Sequence, residues 1–410
     1  MRGELLRTIF TAGLCVSAGS FLAATVTADD IAERARKLHF SSIVVDTHDD
    51  TTQRFLDGKF DLSPRDARGS IDIPRMKEGG LGGIFFSIWM PSKVTGPEAV
   101  KRALVQIDAV REQVRKHPGD LVLASTAGEV RAAHKQGKIA ALMGVEGGHM
   151  MASDLGVLRS YAALGVRYMT LTHSGNDEWA DSSTDTPAHN GLTDFGKEVV
   201  REMNRLGVIV DISHVSDKTF YDALEVSKAP LFASHSSCRA ICNAPRNMTD
   251  EMIKALAAKG GVIQINYHVG FLSQEFRSAS TPEIAKQIGD EVNKRCGNEE
   301  ACQLIEGDKV TREFVAQGKL PRVDWTKIIE HIDHAVKIAG VDHVGLGSDF
   351  DGANMPFGME DASKLPQITE ALLRKGYSEG DIKKILGENT LRVMTEVERV
   401  SREMNSAAPK

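Results

Sequence analysis

The stretch Val44-Val45-Asp46-Thr47-His48-Asp49-Asp50 is an apolar strand that runs directly into a His-x-Asp pair. Side chains alternate faces along a strand, so His48 and Asp50 point the same way from its end. An imidazole and a carboxylate offered together suit a divalent transition metal such as zinc. Taken alone, such a pair is more often a solvated strand end, and a metal would need further donors from elsewhere in the chain.

Five other residues share that setting. Glu146 closes the run Gly144-Val145-Glu146-Gly147-Gly148-His149, His173 follows Thr170-Leu171-Thr172, and His214 follows Val210-Asp211-Ile212-Ser213. His235 follows Phe232-Ala233-Ser234, and Asp349 follows Gly345-Leu346-Gly347-Ser348. A single His or carboxylate at a strand end is ordinarily a capped or solvated polar group. Seven of them at the ends of six apolar runs require a common explanation, and a shared metal centre supplies one.

The elements that must carry these residues are eight apolar runs: Ile43 to Thr47, Gly83 to Trp89, Ile139 to Val145, Val166 to Leu171, Val208 to Ile212, Leu231 to Ala233, Gly261 to Asn266 and His343 to Gly347. Segments of helical periodicity separate most of them, among them Pro97 to Lys116, Asp154 to Leu164, Thr193 to Leu206, Asp217 to Glu225, Thr249 to Ala258 and Asp324 to Ala339. Strand and helix alternating in this way predict a (β/α)8 TIM-like barrel, whose functional residues gather at the C-terminal ends of the strands. An open doubly wound sheet has the same element order, because order alone does not show closure. The segment from Phe271 to Leu320 breaks the rhythm with a charged, mostly helical insertion, expected to act as a lid or as the contact of a homodimer.

Composition narrows the partners. With 410 residues, 41% hydrophobic and 26% charged, the chain buries a sizeable core, and its formal charge of −6 leaves no basic stripe to neutralise phosphates. Nucleic acid is therefore excluded as an expected partner. Arg2 and Arg7 flank the start of an apolar and small-residue stretch, and Val26-Thr27-Ala28 precedes Asp29, so residues 1–28 read as a secretory signal ahead of a single unit at 29–410. The mature protein is expected to be exported, periplasmic or secreted, with no stable membrane anchor after cleavage. Of the cysteines beyond the signal, Cys296 and Cys302 bracket a short polar loop and are the first candidates for a disulfide, while Cys238 and Cys242 read as buried thiols.

These residues also carry a family likeness. From about residue 38 to 395 the chain resembles the membrane (renal) dipeptidases, a family of zinc peptidases, through Asp46-x-His48-x-Asp50, Gly144 to His149, Thr172-His173-Ser174, His214-Val215-Ser216, Ser234-His235-Ser236-Ser237, Pro245-Arg246-Asn247 and Gly347 to Gly352. The resemblance implies hydrolysis of small dipeptides at two zinc ions. It implies Glu146 as a bridge between them, His48 and Asp50 completing one ion's ligands, and His214 and His235 the other's. It further implies that His173 and Arg246 bind substrate and that Asp349 takes part in the chemistry. The insertion and the lack of a C-terminal anchor signal set this chain apart within that likeness. Another two-metal barrel hydrolase, acting on an amide, lactone or phosphoester, and a metal-stabilised binding protein remain the alternatives. His149, His268, Asp351 and Trp179 read as structural neighbours of the site.

Overall fold

A computed structural model describes residues 28–56 and 60–407. The expected signal, 1–28, lies outside the described residues except for Ala28. Nine strands form one sheet: β1 Val44–Asp49, β2 Leu81–Trp89, β3 Leu121–Leu123, β4 Ile139–Glu146, β5 Val166–Thr170, β6 Ile209–Asp211, β7 Phe232–Ser236, β8 Val262–Ile265 and β9 Val344–Leu346. Eight of them follow the order β1-β2-β4-β5-β6-β7-β8-β9, and every pairing is parallel. The ends meet where Asp50 N donates to Phe350 O at 2.9 Å and Asp349 N to His48 O at 3.0 Å. The expected (β/α)8 barrel is the fold.

Burial within the strands explains why the sheet closes. Val45, Phe85, Leu142, Tyr168, Ile209, Phe232 and Val262 form one packed cluster, while their neighbours Val44, Phe86, Met143, Met169, Val210, Ala233 and Ile263 belong to another. Alternate residues of each strand therefore serve the barrel lumen and the helix layer, and both faces are dry. Phe85 and Phe232 lie on strands that are not neighbours, yet their ring centroids are 6.5 Å apart, which is contact across the lumen. Leu391, Val393, Met394 and Val397 of the C-terminal helix Asn389–Ser406 join the same cluster and close one end of it.

Two elements went beyond the expected pattern. β3 pairs with the first half of β4, Leu121 opposite Ile139, whereas β5 takes the second half from Met143. Three residues are too few for a period to register, so β3 was not expected. The helix after it, Ala127–Lys135, opens with a capping box in which Thr126 Oγ1 accepts from Glu129 N and Glu129 bonds back to the Thr126 amide. The insertion is helical as expected, with helices at Gln274–Ala279, Pro282–Cys296 and Glu300–Ala316. It folds around a small core of its own, including Phe276, Val292, Val310 and Phe314. Cys296 and Cys302 are joined by a disulfide, and Cys238 and Cys242 are free and buried.

Candidate active site

All eight residues singled out in the sequence meet at one mouth of the barrel. His48 lies within β1 and Asp50 just beyond it, Glu146 is the last residue of β4, and His235 is inside β7. His173, His214 and Asp349 follow β5, β6 and β9. His214 and Asp349 adopt φ values of 66° and 65°, and Asp351 one of 61°. That left-handed backbone is unusual for non-glycine residues and is retained where surrounding contacts enforce a required side-chain direction.

Glu146 is the centre of the arrangement. Its Oε2 lies 3.5 Å from His48 Nε2, and its Oε1 lies 2.9 Å from His214 Nε2, 3.3 Å from His235 Nε2 and 3.8 Å from His173 Nε2. Asp50 Oδ1 is 3.5 Å from His48 Nε2. The donor atoms fall into three overlapping sets, each within 4.8 Å: His48 with Glu146 and His235, Glu146 with His173 and His214, and His48 with Asp50 and Asp349. This grouping sets His235 beside His48 and His173 beside His214, whereas the family likeness pairs His214 with His235. His214 and His235 are nonetheless in contact, with their Nε2 atoms 3.1 Å apart.

The surroundings hold these side chains from behind. His48 Nδ1 is 2.8 Å from the Tyr168 hydroxyl, which leaves Nε2 facing the mouth. His235 Nδ1 is 2.8 Å from Ser234 Oγ, and Ser234 Oγ donates to Asp211 Oδ2 at 2.6 Å. Such outer partners fix the ring and tautomer of a metal-binding histidine. Asn266 Nδ2 donates to Asp349 Oδ2 at 3.0 Å, and Arg246 Nη2 donates to His235 O at 3.1 Å. At Gly352 a Cβ would collide with the Asp50 carboxylate, so only glycine allows that approach.

Charge in the site follows from this crowding. Burial opposes ionisation of Glu146, but His48, His173, His214 and His235 outweigh it and hold the carboxyl well below its usual range. Burial pushes the His214 and His235 imidazoles well below theirs, with Arg246 adding to the effect on the first and His48 on the second. Neutral imidazoles are the form that binds metal. Burial pushes Asp50 up to about 7 against the pull of His48, with Glu146 and Asp349 adding to the rise. His48 Nε2 and Asp50 Oδ1 are also buried without a hydrogen-bond partner. Orphaned donors of these types around an ionised carboxylate are the chemistry of a divalent cation site, so the residues fit one.

A cavity of about 280 Å³ opens above the cluster, and Trp89, His268, Phe271 and Leu304 line it together with the site residues. His268, read from the sequence as a bystander, therefore faces the cavity. Trp89 ends β2 and so obeyed the same strand-end rule as its neighbours, whereas Phe271 and Leu304 come from the insertion and carried no signal of their own. Asp351 and Trp179 are structural. Asp351 accepts from Ser70 N, Thr51 Oγ1 and Arg54 Nη1, and Trp179 is 1% exposed against Phe195. His149 lies 3.9 Å from Asp177, outside the donor sets.

A closed parallel barrel with these donors at the C-terminal ends of its strands defines a metal-dependent hydrolase. The chain belongs to the membrane dipeptidase family, peptidase family M19, whose model matches residues 32–408. Among solved structures it is similar to the probable dipeptidase PvdM from Pseudomonas aeruginosa, at 27% identity and a TM-score of 0.77, over 91% of this chain and 99% of that one. It is similar to a metallopeptidase from Rhodobacter sphaeroides solved with a phosphinate mimic of the dipeptide L-Ala-D-Ala, at 27% identity and a TM-score of 0.72, over 87% and 99% of the two chains. A third relative, the metallopeptidase dipeptidase AC, is 28% identical with a TM-score of 0.72, over 87% of this chain and 98% of that one.

Proposed function

We propose that the protein is a two-zinc dipeptidase that hydrolyses the peptide bond of small dipeptides. The observation that carries this reading is Glu146, whose two oxygens face separate donor sets while Arg246 lines the same cavity. His48 and Asp50 would hold one ion, His214 and His235 the other, and Glu146 both. When bound, the ions supply Lewis acidity, polarising the scissile carbonyl and making a water acidic enough to attack near neutral pH.

The chain's own groups do the rest. Arg246 is buried, and although burial lowers its guanidinium to about 10 it stays charged, so its planar fork receives the free C-terminal carboxylate of the substrate. His173, kept neutral chiefly by burial, donates a hydrogen bond to the oxyanion that forms as water adds to the carbonyl carbon. Asp349 takes the proton released by the attacking water and gives it to the nitrogen that leaves as the C–N bond breaks. Asn266 orients the Asp349 carboxylate for that transfer. The cavity admits a molecule of dipeptide size, and the L-Ala-D-Ala mimic in the Rhodobacter relative supports a D-residue at the second position.

Export of the mature protein from a signal at 1–28 is part of this reading. The Cys296–Cys302 disulfide supports it, because such bonds persist in oxidising compartments. The test is metal analysis of the purified protein together with hydrolysis of a chirally resolved dipeptide panel. Stoichiometric zinc and turnover that Glu146→Ala abolishes are expected. Protein lacking divalent metal, or unchanged turnover in Glu146→Ala, would sink the proposal.

A further inference from the structure

A second cavity of about 410 Å³ adjoins the first, and His268 and Phe271 line both. Its far walls come from the insertion: Phe276, Ile284 and Ile288 make an apolar surface, and Arg277 stands beside them. No Asp or Glu lines this chamber, and Arg277, which on its other side borders an open surface cleft with Asp185 and Asp217, is the one acidic or basic side chain on its wall besides the neutral His268. Most other basic groups of the insertion have carboxylate partners, and Lys319 instead lies over the Phe314 ring. Arg295 pairs with Glu291, Glu306 and Glu313, Arg312 with Asp308, and Lys286 with Asp290. The Arg277 guanidinium has neither a hydrogen bond nor an ion pair among the described residues. A cation with no ion pair on the wall of a half-apolar chamber can receive an anion there.

The direction of approach follows from Phe271. The Arg246 guanidinium lies over its ring, 5.3 Å from the centroid, so the passage between the cavities opens at the Arg246 end of the site. In the dipeptidase reading, on which this inference rests, Arg246 receives the C-terminal carboxylate. The side chain able to turn past Phe271 therefore belongs to the C-terminal residue of the substrate. We infer that the second cavity is a side-chain pocket for that residue. It selects side chains that reach past Phe271 and end in a carboxylate, of the glutamate or aminoadipate class. Their methylenes pack on Phe276, Ile284 and Ile288, and Arg277 binds the terminal anion.

The experiment compares kcat/KM for alanyl-glutamate and alanyl-glutamine, each with either configuration at the second residue, on the zinc-loaded enzyme. The two substrates share shape and α-carboxylate and differ in the terminal charge. The expected Glu:Gln ratio is about ten or more, the scale of a charged hydrogen bond, carried by KM. Arg277→Gln should bring the ratio to about one, Arg277→Lys should retain part of it, and Ile288→Glu, which sets an anion on the opposite wall, should lower it independently. A wild-type ratio near one with both dipeptides hydrolysed, or a ratio that survives both Arg277→Gln and Ile288→Glu, overturns the pocket and leaves the dipeptidase reading standing. If the enzyme cleaves no dipeptide, the dipeptidase reading fails and takes this pocket with it.

Discussion

The Tyr168 hydroxyl sits 2.8 Å from His48 Nδ1, at the top of the barrel's apolar lumen and directly beneath the site. It reaches that point because Gly144 leaves the space: a Cβ there would fall inside the Tyr168 ring. A glycine on one strand thus lets a tyrosine on the next orient a histidine on a third.

Tyr168→Phe keeps the ring and removes the oxygen. His48 then loses the contact that fixes its orientation, and metal affinity should fall by about 10- to 100-fold, as for other outer partners of metal-binding histidines. Competition against a chelator reads the change directly. An unaltered affinity, with thermal stability also unaltered, would show that His48 is not positioned this way.

Asp351, beyond β9, is tied to the connection between β1 and β2 through Ser70 N, Thr51 Oγ1 and the nearly fully buried Arg54. Asp351→Ala leaves that guanidinium short of one partner, although Asp66 still holds it at 3.0 Å. Loss of a buried pair of this kind costs about 3 kcal/mol. A urea titration of the variant should show the drop, and turnover should fall as the loop bearing Asp349 loosens.

His331 accepts from Cys238 N at 3.0 Å and faces Leu272 O at 3.1 Å, and burial holds its imidazole down at about 4. In the unfolded chain the same group takes up its proton near 6.5. Unfolded protein therefore binds more protons between about pH 6.5 and about pH 4, and stability falls as pH drops through that window. The contribution is roughly 3 kcal/mol, present in full above the window. His331→Gln should be less stable at pH 7 but lose less on acidification. Parallel slopes for the two proteins would contradict this.

The Cys296–Cys302 bond closes a loop with a sequence separation of 6 between two helices of the insertion. A ring this short restricts the unfolded chain by about 2 kcal/mol. Because the insertion has its own core, reduction should loosen it locally. Limited proteolysis of the reduced protein should cut near 297–301 while the barrel resists, and a uniform loss of protection would argue against local loosening.

The donors at the barrel mouth were legible in the sequence because a strand leaves its terminal polar residues at one height, so His48, Glu146, His214 and His235 announced themselves by position. What supports them was not. Tyr168 has the pattern of any core aromatic, and Asp211 and Ser234 lie mid-run, where their bonding to His235 depends on β6 and β7 being neighbours. The second cavity was equally silent, since Arg277 in a charged helical segment is indistinguishable by type from the paired Arg295. Periodicity reports which residues share a face, and the partner across that face appears only when the barrel closes.

The lumen of that barrel is stoppered by Leu391, Val393, Met394 and Val397, on a helix that follows all nine described strands in the chain. During synthesis all nine strands can emerge while their shared interior is still wet at one end. Commitment to the native state thus waits for residues 389–406, and a nascent chain halted before them should stay open to chaperones, proteases or a translocation channel.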